Sequence, residues 1–329
     1  MRISTNSIIR NYRTNLGKST SRLNESREKV LTERKFNRAS QDPAAANKAF
    51  QLRREYLKNE DYLHNLGVAQ GQLAATESSL MQVNEMSKQA KGDILRALNG
   101  ATSKEGRTAI AQNLEETAES IVMSMNARYG DKFLFGGAST KEAPFKLEAG
   151  DLFYRGISVT NGDLIKLKEM SEETNYIDLG FGLSKDEVSG EIIKGTAYNL
   201  SNPGIEALGY GVDGEINKNL VVQLMDMAKV LRADDFDSEK LGNMSTQFDK
   251  SVSNNLDKIT QLGSTSKFLE DTESRLKDNN LNLNEKIISV ENVDLAQAIT
   301  EFSWAEYAYN AALKVGNSIL SQSFIDFMR

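Results

Sequence analysis

The side chains that most often do chemistry are scarce in this sequence. It contains one histidine, His64, and no cysteine. Zinc sites of the usual kind need several imidazoles or thiolates, so they are excluded. Ser-His-Asp and Cys-His catalysis would have to run through His64 alone, and that residue sits between Leu63 and Leu66 in a helical pattern, where it reads as an ordinary helix residue. Three acidic pairs, Glu115-Glu116, Glu172-Glu173 and Asp234-Asp235, have the composition of acid/base dyads. They fall in loops or on polar helix faces, with no other functional groups clustered near them in sequence. No phosphate-binding or dinucleotide glycine fingerprint leads from a strand into a helix. The residues therefore predict neither an enzyme nor a cofactor, nor a metal site.

The composition narrows the choice further. The chain has 329 residues, a formal net charge of −6 and only three prolines, Pro43, Pro144 and Pro203. So few breakers over that length leave room for very long helices. No run of about 18 apolar residues is present, so no membrane-spanning segment is expected, and Met1 to Arg10 lacks a secretory apolar core. The basic first forty residues are not interleaved with aromatics and contain no nucleic-acid reading motif, so nucleic acid is not an expected partner.

Apolar spacing supplies the positive signal. Ile9, Tyr12, Leu16, Ser19, Leu23, Ser26 and Val30 step by threes and fours, as in a helical seam with polar rungs. Asp42 before Pro43 reads as an N-cap followed by a first helical residue, which places a turn there and a new helix beyond it. The stripe Leu66, Ala69, Leu73, Thr76, Leu80, Val83, Ser87, Ala90, Ile94 and Ala97 follows. Thr102 and Glu105 have capping-box spacing. A further helix carries Ala111, Leu114, Ala118, Ile121 and Met125 and closes at Tyr129-Gly130. Residues 144–215 change character: glycine recurs, short apolar runs such as LFY, ISV, LIKL and YIDL lie between, and Asn161-Gly162 reads as a hairpin turn. Beyond it, Leu220, Leu224, Met227 and Leu231 define a short helix, and a heptad runs from Leu262 to Val290. A last seam, Leu295, Ile299, Phe302, Glu306, Tyr309, Leu313, Gly316, Leu320, Ser323 and Phe327, continues to the end.

The expected fold class is mainly α: a long antiparallel coiled-coil or helical-bundle rod built from both termini, with a β-rich central insert. The expected division is 1–42 with 291–329 as a paired-helix inner domain, 43–143 with 216–290 as a helical bundle, and 144–215 as an outer β-rich domain. Residues 1–40 are strongly basic and residues 291–329 acidic, which favours their pairing. The terminal seams are poor in large apolar residues, yet aromatic side chains crowd several faces of the last thirty, so neighbouring subunits are the expected partners of these faces. Ile9, Tyr12, Leu16, Leu23, Phe302, Tyr309, Leu313, Leu320, Phe324 and Phe327 are the candidate assembly residues, and Asp42 with Pro43 the candidate inter-domain turn.

The opening MRIST, RKFNRASQDPAAANKAFQLR at 34–53, GDKFLFGGASTKEAPF at 130–145, GTAYNLSNPGIEALGYGVDG at 195–214, VENVDLAQAITEFSWAEYAYNAALKVGNSILSQSF at 290–324 and the ending IDFMR resemble the bacterial flagellin family. The likeness is greater to its subunits at the boundary of hook and filament than to the filament subunit itself. SQDPAAANKA stands where flagellins carry a D-D-A-A-G-type phrase, and 31–38 lacks the S-S-G phrase. The filament subunit is the alternative. The resemblance implies a structural flagellar component outside the cell, exported without a cleaved signal peptide. Its implied partners are copies of itself in a ring, the neighbouring hook-associated protein, flagellin, an export chaperone and the flagellar type III export apparatus, without membrane insertion.

Overall fold

A computed structural model describes residues 5–99, 102–148, 150–187, 189–193, 195–214 and 216–326; of residues 5, 6 and 319–326 only the backbone is described. Helices dominate: α1 (Thr5–Thr32), α2 (Pro43–Leu98), α3 (Lys104–Met125), α4 (Leu164–Ser171), α5 (Gly204–Leu208), α6 (Leu220–Arg232), α7 (Ser238–Glu291) and α8 (Leu295–Asp326). Among the described residues, nine short strands lie between α3 and α6. β1 (Arg128–Tyr129) pairs with β2 (Lys132–Phe133); β3 (Phe145–Glu148), β4 (Asp151–Tyr154) and β5 (Ile157–Ser158) form a three-stranded sheet; β6 (Tyr176–Ile177) pairs with β7 (Tyr198–Asn199), and β8 (Val212–Asp213) with β9 (Ile216–Asn217). Every pairing is antiparallel.

The chain divides into two compact units, residues 1–60 with 278–329 and residues 61–277. These limits differ from the three-part division expected, and the cause is visible in the core of the second unit. All ten residues of the predicted α2 stripe, Leu66 through Ala97, are buried, as are the predicted faces of α3 and α6. Phe145, Leu152, Tyr154, Val159, Leu167, Leu179, Ile205 and Leu208, from the segment expected to stand apart, belong to the same apolar cluster. Asn126, which ends α3, holds β3 through two bonds: its Nδ2 donates to the Phe145 carbonyl at 2.9 Å and its Oδ1 accepts from the Phe145 amide at 3.0 Å. The β-containing segment is thus one wall of a shared helical core.

Local chemistry explains where other elements differ from expectation. Ser103, not Thr102, caps α3 by accepting the Gly106 amide, while Thr102 donates to the Arg96 carbonyl. Glu105 follows in the first turn, where backbone and Ser103 hydrogen bonds hold its carboxyl below the usual range. Gly130 does not end α3; with φ +62 it makes the tight turn between β1 and β2. The LIKL run is helical because Asp163 accepts the amides of Ile165 and Lys166 and starts α4. The hairpin turn lies instead at Arg155-Gly156, both at positive φ, between β4 and β5.

Two tyrosines tie the core to solution pH. Burial pushes the hydroxyls of Tyr154 and Tyr198 up to about 12, and Tyr154 donates to the Phe135 carbonyl at 3.1 Å. Raised folded-state values mean that their contribution is complete below the ordinary tyrosine value near 10 and is lost as pH rises towards about 12. The second unit is therefore expected to lose stability between those limits, and Tyr154→Phe to flatten that loss in alkaline melting curves. An unchanged slope would show that Tyr154 is not the source.

Candidate assembly surface

In the first unit, α1 runs antiparallel to α8 and α2 to α7. Arg53 Nη2 reaches Glu291 Oε2 at 2.5 Å and Asn59 Nδ2 reaches Asn280 Oδ1 at 2.6 Å across the second pair. Ala46, Ala49 and Asn59 of α2 are buried, and Leu283, Ile287 and Val290 of α7 half-buried. In α1 the predicted seam holds residue for residue: Ile9, Tyr12, Leu16, Ser19, Leu23, Ser26 and Val30 are all half-buried, and none of the described residues of this helix is fully buried.

The face of α8 that meets α1 is partly another than expected. Ala298, Phe302, Ala305, Tyr309, Ala312 and Gly316 are buried or half-buried, whereas Leu295, Ile299 and Leu313 are exposed. The helix turns small side chains towards its partner, which lets the backbones approach. At Gly316 the approach is so close that a Cβ would overlap the Tyr12 ring and hydroxyl. Charge adds little to this pair. Lys29 and Glu301 stand 3.8 Å apart, both well exposed, and such pairs contribute about 0–1 kcal/mol.

The breaks between the helices are fastened more firmly. Glu33 adopts φ +57, a left-handed conformation that costs a non-glycine residue energy. It brings Arg34 into a β-bridge with Asn292. The Val293 amide donates to the Glu33 carbonyl at 3.0 Å, the Lys35 amide to the Glu291 carbonyl at 2.7 Å, and Lys35 Nζ to the Ser289 carbonyl at 2.6 Å. Asp42 Oδ1 accepts the Ala45 amide at 2.9 Å and Pro43 begins α2, as its sequence requires. Residues on both sides of that turn belong to the first unit, so it does not divide the compact units. The cap of α8, Asp294, accepts the Ala296 and Gln297 amides; it was legible as an acid just before an apolar run but was not singled out.

Of the ten candidate assembly residues, Ile9, Tyr12, Leu16, Leu23, Phe302 and Tyr309 lie in the seam between α1 and α8, and Leu313 is exposed beside it. Leu320 and Phe324 lie on helical backbone, with side chains outside the described residues, and Phe327 lies outside them altogether. Two further aromatic residues of α8, Trp304 and Tyr307, are 69% and 70% exposed on the side away from α1. The acidic pairs have structural partners: Glu115 meets Arg232 at 2.6 Å, Glu173 meets Arg155 at 2.6 Å and Asp234 meets Lys104 at 2.5 Å. His64 is exposed. Among the described residues no group of three or more His, Cys, Asp or Glu side chains is placed to hold a metal ion, and no helix is long and apolar enough to cross a membrane.

Residues 3–140 match the bacterial flagellin N-terminal helical region. The chain is 27% identical over 151 residues to flagellar hook-associated protein 3 of Salmonella typhimurium. That match spans 46% of this chain and about half, 48%, of the relative. A structure described as a flagellar hook-associated protein from Vibrio parahaemolyticus superposes with a TM-score of 0.61 at 20% identity, over 76% of this chain and 99% of that one. Flagellar hook-associated protein-3 from Legionella pneumophila gives a TM-score of 0.57 at 10% identity, over 73% and 98%. The chain thus shares the fold of these hook-associated proteins, and its residues 3–140 are similar to the flagellin N-terminal helical region.

Proposed function

We propose that the protein is a structural, non-catalytic subunit of the bacterial flagellum that joins the hook side to the flagellin filament by self-assembly of its paired terminal helices. The observation that carries this reading is α8: α1 covers one face, while Leu295, Ile299, Trp304, Tyr307, Leu313 and Val315 remain exposed on others. A helix with apolar side chains on several faces needs several neighbours. The named relatives favour the junction over the filament subunit. On this reading Leu313, Leu320, Phe324 and Phe327 meet other subunits. The chain leaves the cell through the flagellar export apparatus without a cleaved signal peptide, held beforehand by an export chaperone. It meets a hook-side protein at one end and flagellin at the other. Deleting the gene should leave hooks without filaments and flagellin free in the medium, seen by electron microscopy and immunoblotting. Filaments of normal length and number would refute the junction role, and loss of flagellin itself would assign the chain to the filament.

A further inference from the structure

The α2–α7 pair of the first unit carries two exposed stripes that the monomer leaves uncovered. On α2, Phe50 and Leu57 are 65% and 64% exposed, seven residues apart, with exposed Arg54 between them. On α7, Leu281 and Ile288 are 64% and 48% exposed, also seven residues apart, with exposed Glu285 between them. Each stripe is apolar, charged, apolar, on adjacent turns of one helix face. Both helices turn their packed seams elsewhere: the buried Ala46, Ala49 and Asn59 on α2, and the half-buried Leu283, Ile287 and Val290 on α7. Among the described residues Arg54 and Glu285 form no ion pair.

We infer that the Phe50–Arg54–Leu57 stripe of one copy docks on the Leu281–Glu285–Ile288 stripe of the next. Equal spacing lets the apolar residues of one stripe meet those of the other while Arg54 comes opposite Glu285. Because the two stripes differ, the contact is heterologous: each copy offers one stripe to each neighbour, so repetition builds a ring or a helix rather than a closed pair. The charges in the middle set register and reject a stripe of like sign, since α2 against α2 would bring Arg54 onto Arg54. The inference rests on the reading of the chain as a self-assembling subunit, but not on its place in the flagellum.

The absence of cysteine from the chain makes the test clean. The full-length protein carrying both Arg54→Cys and Glu285→Cys, concentrated and treated with a short bis-maleimide, should give a ladder of dimers, trimers and higher species on a denaturing gel. Either cysteine alone should stop at dimers and give few of them. Arg54→Glu or Glu285→Arg in the wild-type background should reduce oligomers trapped by a lysine-reactive cross-linker about tenfold, and the two reversals combined in one chain should restore them. All these positions are exposed, so circular dichroism should be unchanged. A ladder no stronger than the single-cysteine product, or a double reversal no better than either single one, would overturn the inference. A ladder together with normal filaments in the deletion strain would sink the junction role and leave the contact standing.

Discussion

Phe145→Ala is expected to destabilise the second unit by about 3–5 kcal/mol, the usual cost of removing a buried phenylalanine ring from a packed core. Phe145 is 1% exposed, its ring lies 5.0 Å from that of Tyr154, and it fills the space beside Gly204, where an added Cβ would meet Phe145, Phe135 and Met125 together. The strand β3, the end of α3 and the start of α5 therefore lean on one side chain. For a unit of this size the loss corresponds to a melting temperature lower by about 10 °C. Because the ring belongs to the same cluster as Leu114, Ile121, Leu224 and Leu231, helical circular dichroism should fall with the β segment, in one transition. Residues 144–215 replaced by a short Gly/Ser linker should likewise lose much of the helicity of α3 and α6. Melting of the β segment with the helices left intact would show that the two are separate after all.

Gly316→Val should open the α1–α8 pair while leaving the second unit as stable as before. The Tyr12 ring occupies the space that the new side chain needs, and overpacking of this kind costs about 1–3 kcal/mol. Among the described residues the seam is mostly half-buried and holds one weak ion pair, so a loss of this size should reduce the closed fraction about tenfold. Hydrogen exchange should show α1 amides losing protection, with α3 and α6 amides unchanged. If the chain acts as proposed, its incorporation into flagella, followed by immunogold labelling, should fail. Tyr12→Ala introduced beside it makes room and should restore part of the protection. If the single variant exchanges like the parent, the close approach at Gly316 does not hold the pair together.

What the sequence disclosed depended on how large the signalling side chains are. The α2 stripe could be read from Leu66 to Ala97 because leucine, isoleucine and valine mark every turn or two, and burial follows it throughout. The α1 seam was equally legible. In α8 the same spacing rule selected Phe302, Tyr309 and Gly316, which pack, together with Leu295, Ile299 and Leu313, which do not, and it passed over Ala298, Ala305 and Ala312 of the packed face. Alanine and glycine carry little hydropathy, and their use here is that they let another helix come near. Exposed leucines therefore outvoted buried alanines. The β segment was legible as short runs and glycines, but which runs became strands depended on a single capping side chain, Asp163, and on two residues at positive φ, Arg155 and Gly156. Its membership of the helical core was not legible, since a list of apolar residues does not say which neighbour buries them. The stripes on α2 and α7 were missed because each consists of two apolar residues in an otherwise polar face.

The first unit joins residues up to Glu60 to residues from Asp278 onward, which makes its formation a matter of timing. While the chain is being made, α1 exists long before α8, and the intervening 61–277 segment has everything it needs to form its own core. Closing so large a loop costs little more than closing a moderate one, but contacts so distant in sequence form late. The clamp of Glu33, Arg34 and Lys35 on Glu291, Asn292 and Val293 is then expected to be a closing step, made after contacts nearer in sequence. Until that moment the apolar seam of α1 has no partner within its own chain, and any binding protein that must catch the subunit before it assembles has that interval in which to do so.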